Sequence, residues 1–350
     1  MPALWDLSDF DDHEAVHGFY DRTTGLTGVI AIHSTHLGPA AGGVRFWKYA
    51  DKQHGVIDAL RLSRGMSYKN AMAGLPLGGG KAVILADART DKTPEFLAAY
   101  GREVESLGGR YVTAEDVGMS VADMVEIARH TRYVSGLPVD EQGGAGGDPG
   151  PFTAYGVYLG VLAAIKQGLG RDSAKGVHVA IQGVGSVGGH LARRLAADGA
   201  RLTLADIHED RCAALAGELG ATCVSTGEIL SIEADVISPN ALGAVLTEHS
   251  IAQLKAPVVA GGANNQLAAP ADGQRLYDRG IVFAPDYVIN AGGIISVALE
   301  YLGRGNRDEV ERRIAEIPGR LREIWDASKA DGSPAADVAD RMAQARIGRK

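Results

Sequence analysis

Residues 177–206 read VHVAIQGVGSVGGHLARRLAADGARLTLAD, and this stretch predicts a parallel α/β sheet built to hold a dinucleotide. An apolar strand feeds GVGSVG, a helix follows, and a second apolar strand ends on Asp206. Gly183 serves the tight turn, Gly185 the close approach of backbone to a pyrophosphate, and Gly188 the packing of helix on strand. The helix N-terminus then faces the phosphates. G-x-G-x-x-G alone is a weak signal, but here the strand before, the helix after and the acid about 20 residues on are all present. Gly183, Val184, Gly185, Ser186, Val187 and Gly188 are therefore the cofactor-binding candidates. Asp206 is expected to bond the adenosine ribose hydroxyls and repel a 2′-phosphate, which favours NAD over NADP. Arg211 is the one residue that tempers this preference.

Downstream, apolar strands are expected at 234–238, 257–260 and 281–284, each ending in a polar or glycine loop. Those loops, PNALG, GGANNQ and PDYVINAGG, would line the cofactor crevice at the carboxyl edge of the sheet. Upstream, residues 141–151, EQGGAGGDPGP, form the clearest break in composition and predict a flexible interdomain joint. Thr153 is expected to cap a long helix over 154–167. After residue 309, Val310, Ile314, Ile317, Leu321, Ile324 and Trp325 form an amphipathic helical face despite Pro318, and the tail is expected to return to the first domain or to a subunit contact.

The first half of the chain holds a second unusual stretch, residues 66–81, MSYKNAMAGLPLGGGK. Lys69 and Lys81 lie among apolar and glycine residues with no carboxylate nearby in sequence. Burying an ammonium without a partner costs several kcal/mol, so the pair points to a ligand. A helix with snorkelling lysines explains either one alone, but not both together. The glycines before Lys81 predict a tight loop that aims it inward. A P-loop is excluded, because Leu75 stands where its first glycine belongs and Ala82 where a magnesium-binding hydroxyl belongs.

Around this stretch, 17–33 reads as strand, turn, strand with antiparallel pairing, and Gly42 and Gly43 in LGPAAGGVRFW suggest a bulge or a close ligand approach. A helix is expected from 58 into the two-lysine stretch, a buried strand at AVILA, a helix over 93–107 with Pro94 in its first turn, and a strand YVTA running into Glu115 and Asp116. Asp116 is expected to open the next helix, yet the end of a strand is also where α/β proteins keep their chemistry.

The totals narrow the remaining choices. A chain of 350 residues is long enough for two domains, and 45% hydrophobic with 22% charged residues is an ordinary globular composition. The net charge of -8 and the lack of a dense basic tract argue against nucleic acid. Cys212 and Cys223 form no C-x-x-C pair, so neither a disulfide framework nor a zinc site is expected, in keeping with a reducing cytoplasm. No metal site, export signal or membrane span is read.

Taken in order, GPAAGGVR, MSYKNAMAGLPLGGGKAV, TAEDVG, TAYGV, GVGSVG, ANNQ and APDYVINAGG make this chain similar to the amino acid dehydrogenase family that includes the glutamate, leucine, phenylalanine and valine enzymes. The resemblance runs from about residue 37 to residue 301. It implies two α/β domains separated by a cleft: a substrate and oligomerisation domain over 1–135, joined by the tail 326–350, and a Rossmann NAD-binding domain over 136–325. It also implies a homo-oligomer.

By resemblance, Lys69 binds the substrate α-carboxylate, Lys81 is the general base for the attacking water, and Asp116 manages protons at the amino nitrogen. Asn264 or Asn265 and Asn290 would position substrate and nicotinamide, with Thr153 beside them, and Asn240 and Ala241 belong to the cofactor side. The substrate pocket would include Ala41, Gly42, Met66, Ala114, Ile294 and Val297. The chemistry agrees with these roles. Hydride loss from Cα leaves an iminium that water must attack, and a lysine with an ordinary pKa of about 10.4 must fall to roughly 7 to 8 to act as the base. Burial and a second cation, Lys69, push it down, while Asp116 pushes back.

Family members that act on glutamate typically carry a lysine where Ala41 stands. An apolar L-amino acid is therefore expected, since a second buried carboxylate would lack a partner. Leucine, other branched-chain acids and phenylalanine stay open as substrates, with the 2-oxo acid and ammonia as products. Two alternatives remain: a glutamate dehydrogenase, and a catalytically silent sensor of NAD and a metabolite.

Overall fold

The computed structural model describes residues 3–138, 148–303 and 305–349. Its contacts divide the chain into two units. Unit 1 comprises Met1–Asp148, Ser296–Glu309 and Ala343–Lys350, and unit 2 comprises Pro149–Ile295 and Val310–Met342. Most of the joint expected at 141–151 lies outside the described residues.

Unit 1 begins with β1 (Ala15–Tyr20), β2 (Thr27–Ser34) and β3 (Ala40–Phe46), then α1 (Lys52–Met72) and β4 (Gly78–Ile84). It continues with α2 (Pro94–Ser106), β5 (Tyr111–Glu115) and α3 (Val121–Ala128). The sheet runs β1-β2-β4-β3-β5. β1 and β2 pair antiparallel, as the strand-turn-strand pattern predicts, and β4 is antiparallel to β2 but parallel to β3.

Alternation along β4 splits its side chains between two layers. Ala82 and Ile84 join Val44, Phe46, Phe96, Tyr100 and Met124 in one core. Val83 faces the other way and packs with Val29, Ala59 and Leu60, the last two from α1. Lys81 and Gly79 share Val83's parity, so they face α1. A Cβ at Gly79 would lie 2.0 Å from Ser67 N, and only glycine lets α1 press this closely on the strand. The glycines before Lys81 are therefore part of a strand and not of a tight loop; Lys81 is turned inward by strand alternation.

The helix expected to open at Asp116 starts later. Ser120 caps α3 and its box partner is Asp123, whose carboxylate accepts from Ser120 N at 2.8 Å. Residues 116–119 form a turn instead, with Met119 N donating to Asp116 O at 3.0 Å and Gly118 at φ +84°.

The last residues close unit 1. Gln344 donates to Tyr68 Oη at 2.9 Å, and Arg346 donates to Ala71 O at 3.1 Å. Arg349 donates to Asp11 O at 2.6 Å, to Asp12 O at 2.9 Å and to His33 O at 2.9 Å. His33 is buried, with Nδ1 2.7 Å from Ser67 Oγ. Burial pushes its imidazole down to about 4, outweighing its hydrogen bond with Asp11, and the Arg349 charge adds to the fall.

Unit 2 is built around α4 (Gly150–Leu169), β6 (His178–Gln182), α5 (Ser186–Ala197), β7 (Arg201–Ala205), α6 (Glu209–Leu219), β8 (Thr222–Cys223) and β9 (Val236–Pro239). There follow α7 (Glu248–Gln253), β10 (Val258–Val259), α8 (Pro270–Asp278), β11 (Val282–Phe283), α9 (Asp286–Ile289) and α10 (Gly292–Tyr301), whose residues from Ser296 onward count with unit 1. The chain finishes with α11 (Arg307–Ile314), α12 (Ile317–Asp331) and α13 (Ala335–Arg346). The sheet is parallel, in the order β11-β10-β9-β6-β7-β8. Among the described residues no helix is long and apolar enough to cross a membrane.

Three local expectations are corrected in unit 2. Thr153 does not cap α4, which starts at Gly150 with a proline in its first turn; Thr153 Oγ1 instead donates to Pro149 O at 3.0 Å. The apolar face expected to continue through Pro318 is divided, because proline has no N–H to give the preceding turn and so opens α12. Cys212 and Cys223, for which no disulfide framework is expected, form a disulfide with Cα atoms 6.4 Å apart. The left-handed turn at Gly220 sends β8 back along α6 and brings the two cysteines together, which spacing alone does not reveal.

Candidate active site

In unit 1, Lys81 is 6% exposed and its Nζ lies 2.7 Å from Asp116 Oδ2. β4 aims the lysine, while the turn after β5 presents the carboxylate. A Cβ at Gly43 would lie 2.8 Å from Asp116 Cβ, so the paired glycines of β3 make room for the acid.

Four residues not singled out from the sequence complete this cluster. Arg45 Nε lies 3.2 Å from Asp116 Oδ2, and Arg45 Nη1 lies 2.6 Å from Asp58 Oδ2. Asp58 also accepts from Tyr49 Oη at 2.6 Å, and from Arg61 Nη2 at 2.8 Å. Arg45 therefore bridges two carboxylates and fixes the position of Asp116. The available signal was parity: Arg45 stands two residues beyond Gly43, on the same side of β3.

Burial pushes the Lys81 ammonium below its usual range against the pull of Asp116, and the Arg45 charge lowers it further. Arg45 is thus a cation lowering Lys81 that the sequence does not suggest. Burial alone would raise the Asp116 carboxyl, but the charge and hydrogen bond of Lys81, with the Arg45 charge, outweigh it and hold the group below the carboxylate range. The pair combines a lysine eased toward neutrality with an acid that stays ionised.

Lys69 is half-buried in the last turn of α1, one turn beyond Met66. A Cβ at Gly42 would lie 3.2 Å from Met66 Cγ, which sets this part of α1 beside β3. Ala41 is buried on β3 opposite Gly79, and Ala114 on β5 pairs with Gly43. Asn70 Nδ2 donates to Gly78 O at 2.6 Å and ties the end of α1 to β4. Ile294 and Val297, three residues apart on α10, are both half-buried.

In unit 2 the strand ends gather the asparagines and glycines. Gly183 turns at φ +89° with Ala241 against it, and a Cβ at Gly188 would lie 1.9 Å from Gly183 O. A Cβ at Gly185 would meet nothing within 4 Å, so backbone is open to a phosphate at the cap of α5. Asp206 Oδ2 accepts from Val184 N at 2.8 Å, and Oδ1 accepts from His208 N at 2.9 Å and from Arg211 Nη2 at 2.7 Å. Burial would raise this carboxyl, yet these three donors hold it below its ordinary range. Val184 therefore spends its N–H on Asp206.

Asn240 Oδ1 accepts from Gly262 N at 2.9 Å, and Asn290 Nδ2 donates to Gly262 O at 3.1 Å and to Asn264 Oδ1 at 2.8 Å. Of the two adjacent asparagines, Asn264 is the one whose side chain joins Asn290. Asn265 sits at φ +52° and its carbonyl accepts from Ala244 N at 2.6 Å. Asn290 Oδ1 is buried with no hydrogen-bond partner among the described residues. Thr153 Oγ1 lies 2.5 Å from where a Cβ at Gly293 would stand, beside the start of α10. The glycine cradle and the ionised Asp206 suit a nicotinamide dinucleotide. Among the described residues there is no group of three or more His, Cys, Asp or Glu side chains that could hold a metal.

Two family models match: Glu/Leu/Phe/Val dehydrogenase, dimerisation domain, over residues 14–133, and Glutamate/Leucine/Phenylalanine/Valine dehydrogenase over residues 202–349. The chain is 48% identical to a leucine dehydrogenase of Geobacillus stearothermophilus, covering 96% of this chain and 91% of that one. It is 47% identical to a valine dehydrogenase of Streptomyces albus, covering 97% and 93%. Its structure matches that of L-tryptophan dehydrogenase from Nostoc punctiforme with a TM-score of 0.84 at 39% identity, covering 96% of each chain.

Proposed function

The chain belongs to the Glu/Leu/Phe/Val dehydrogenase family and is an amino acid dehydrogenase, and from that premise we propose that it oxidises leucine and related branched-chain L-amino acids with NAD, releasing the 2-oxo acid and ammonia. The observation that carries this reading is the buried Lys81 Nζ, 2.7 Å from Asp116. An oxidised nicotinamide held by the glycine turn and Asp206 would supply the hydride acceptor for the substrate Cα.

Lys69 takes the α-carboxylate, which fixes Cα in place. Lys81, eased toward neutrality by burial, accepts a proton from the water that attacks the iminium carbon. Asp116, held ionised by Lys81 and Arg45, takes a proton from the amino group and returns it as ammonia leaves. Asn264 and Asn290, bonded to each other, orient the reacting partners. Asp206 favours NAD, because a 2′-phosphate would face a carboxylate already ionised.

Ala41 offers no charge to a second carboxylate, and Met66 and Ala114 are apolar, which supports an aliphatic side chain over glutamate. The dimerisation-domain match supports a homo-oligomer. The test is NADH production at alkaline pH with leucine, valine, phenylalanine and glutamate in parallel. Leucine or valine is expected to lead. A lead for glutamate would overturn the pocket argument, and silence with all four, with NADH still bound, would favour a sensor.

A further inference from the structure

Cys212 and Cys223 take no part in deamination, yet they border the place where an adenosine ribose would meet Asp206. A cavity of about 680 Å³ is lined by Asp206, Ile207, Cys212, Cys223, Ser225 and Thr226 among others. Cys212 is 3% exposed on α6 and directly follows Arg211, the partner of Asp206. Cys223 is exposed on β8, a two-residue edge strand that pairs with β7 through Thr203↔Thr222 and Leu204↔Cys223.

Beyond β8 the chain becomes the cavity wall. Val224 N donates to Leu204 O at 3.0 Å, and Ser225 Oγ donates to Glu228 Oε2 at 2.6 Å. The sulfur bridge is the covalent tie between this wall and α6. A two-residue edge strand offers little pairing of its own, so a cross-link there constrains much of what remains. A disulfide with one exposed cysteine is also the kind that thiols reach and reverse.

We propose that Cys212 and Cys223 are a redox-active pair that sets the affinity of the adenosine end of the dinucleotide site. A thiolate of a small or protein dithiol attacks the exposed Cys223 sulfur, the Cys212–Cys223 bond breaks, and Cys212 leaves as a thiolate that takes up a proton. The second thiol of the reductant then attacks the mixed disulfide, and Cys223 departs as a thiolate. The pair gains two electrons and the dithiol becomes a disulfide, so the exchange balances. The opened wall no longer holds its distance from α6, and the cavity loses its preorganised shape.

The effect on binding rests on the dinucleotide reading of unit 2. The experiment is an NADH fluorescence titration of the full chain, equilibrated with either oxidised or reduced dithiothreitol. The reduced protein should bind about threefold to tenfold more weakly, since preorganisation is what the bridge contributes. C223S and, independently, C212A should match the reduced protein in both buffers, so a folding fault in one variant does not decide the matter. Equal affinity in the two buffers overturns the proposal, as does peptide mapping that finds both thiols free after oxidation. If NADH binds neither form, the dinucleotide reading itself has failed, and amide exchange over residues 221–228 decides the pair on its own. Faster exchange on reduction sustains the redox step, and an unchanged rate removes it.

Discussion

The two units meet the same need, a precise grip on a reactive molecule, with opposite materials. In unit 1 the candidate groups are charged, with Lys81 buried and the others half-buried: Lys81, Asp116, Arg45 and Asp58 form a chain of ion pairs at 2.6–3.2 Å. In unit 2 they are backbone and amide groups around glycines, with the single carboxylate Asp206 at the far end of the glycine turn. The difference follows from the chemistry each would serve. Moving protons requires groups that titrate, and burial tunes them. Holding a phosphate and an amide ring requires donors that never titrate, and glycine gives access to them.

The contrast is broken most directly at Lys81. Lys81→Ala should lower kcat by about a thousandfold while leaving NADH affinity unchanged, because general base catalysis contributes on that scale. Survival of most of the turnover would place the base elsewhere.

Arg45→Met tests the tuning of the lysine. Lys81 accepts a proton only when neutral, so the rate of deamination rises as pH climbs through its pKa. Arg45 lowers that pKa, so removing its charge should move the rising limb to higher pH and cost activity at neutral pH. A limb that stays put or moves to lower pH would separate Arg45 from the base.

In unit 2 the largest effect should come from the lone carboxylate. Asp206→Ala is expected to narrow the NAD over NADP affinity ratio by about tenfold, and Arg211→Ala to widen it, since one removes repulsion of a 2′-phosphate and the other removes its counter-charge. Titration of both cofactors against each variant measures this, and an unmoved ratio in Asp206→Ala takes the residue out of the ribose site. The smallest effect belongs to Gly262→Ala, where the added Cβ would lie 2.9 Å from Asn240 Oδ1 and 3.0 Å from Val187 Cγ1. NADH affinity should fall by about threefold as these neighbours shift; full affinity would mean that the contact yields at no cost.

The two units were also unequally legible. The run from Val179 through GVGSVG to Asp206 announces strand, turn, helix and strand because each step is local, and the structure has β6, α5 and β7 in those places. Lys81 was legible as an oddity, a cation with no partner nearby in sequence. Its surroundings were not, because Arg45, Asp58 and Asp116 come from β3, α1 and the turn after β5, and only the pairing of β3 with both β4 and β5 assembles them. The misplaced starts of α3 and α4 have a smaller cause. Ser120 and Pro151 outcompete Asp116 and Thr153 for the ends of those helices, and a preference among neighbouring caps is decided by the turn that precedes them.

The bonds from Arg349 to the backbone of Asp11, Asp12 and His33 have a consequence for synthesis. A ribosome delivers residues in order, and chains generally begin to fold from the N-terminal side as they emerge. Unit 1 starts first but draws its closing contacts from residues 343–350, whereas unit 2 has all of its parts by residue 342. The nascent chain therefore carries an unfinished first unit until the residues after 342 have been made, and of the two units the one begun first is sealed last.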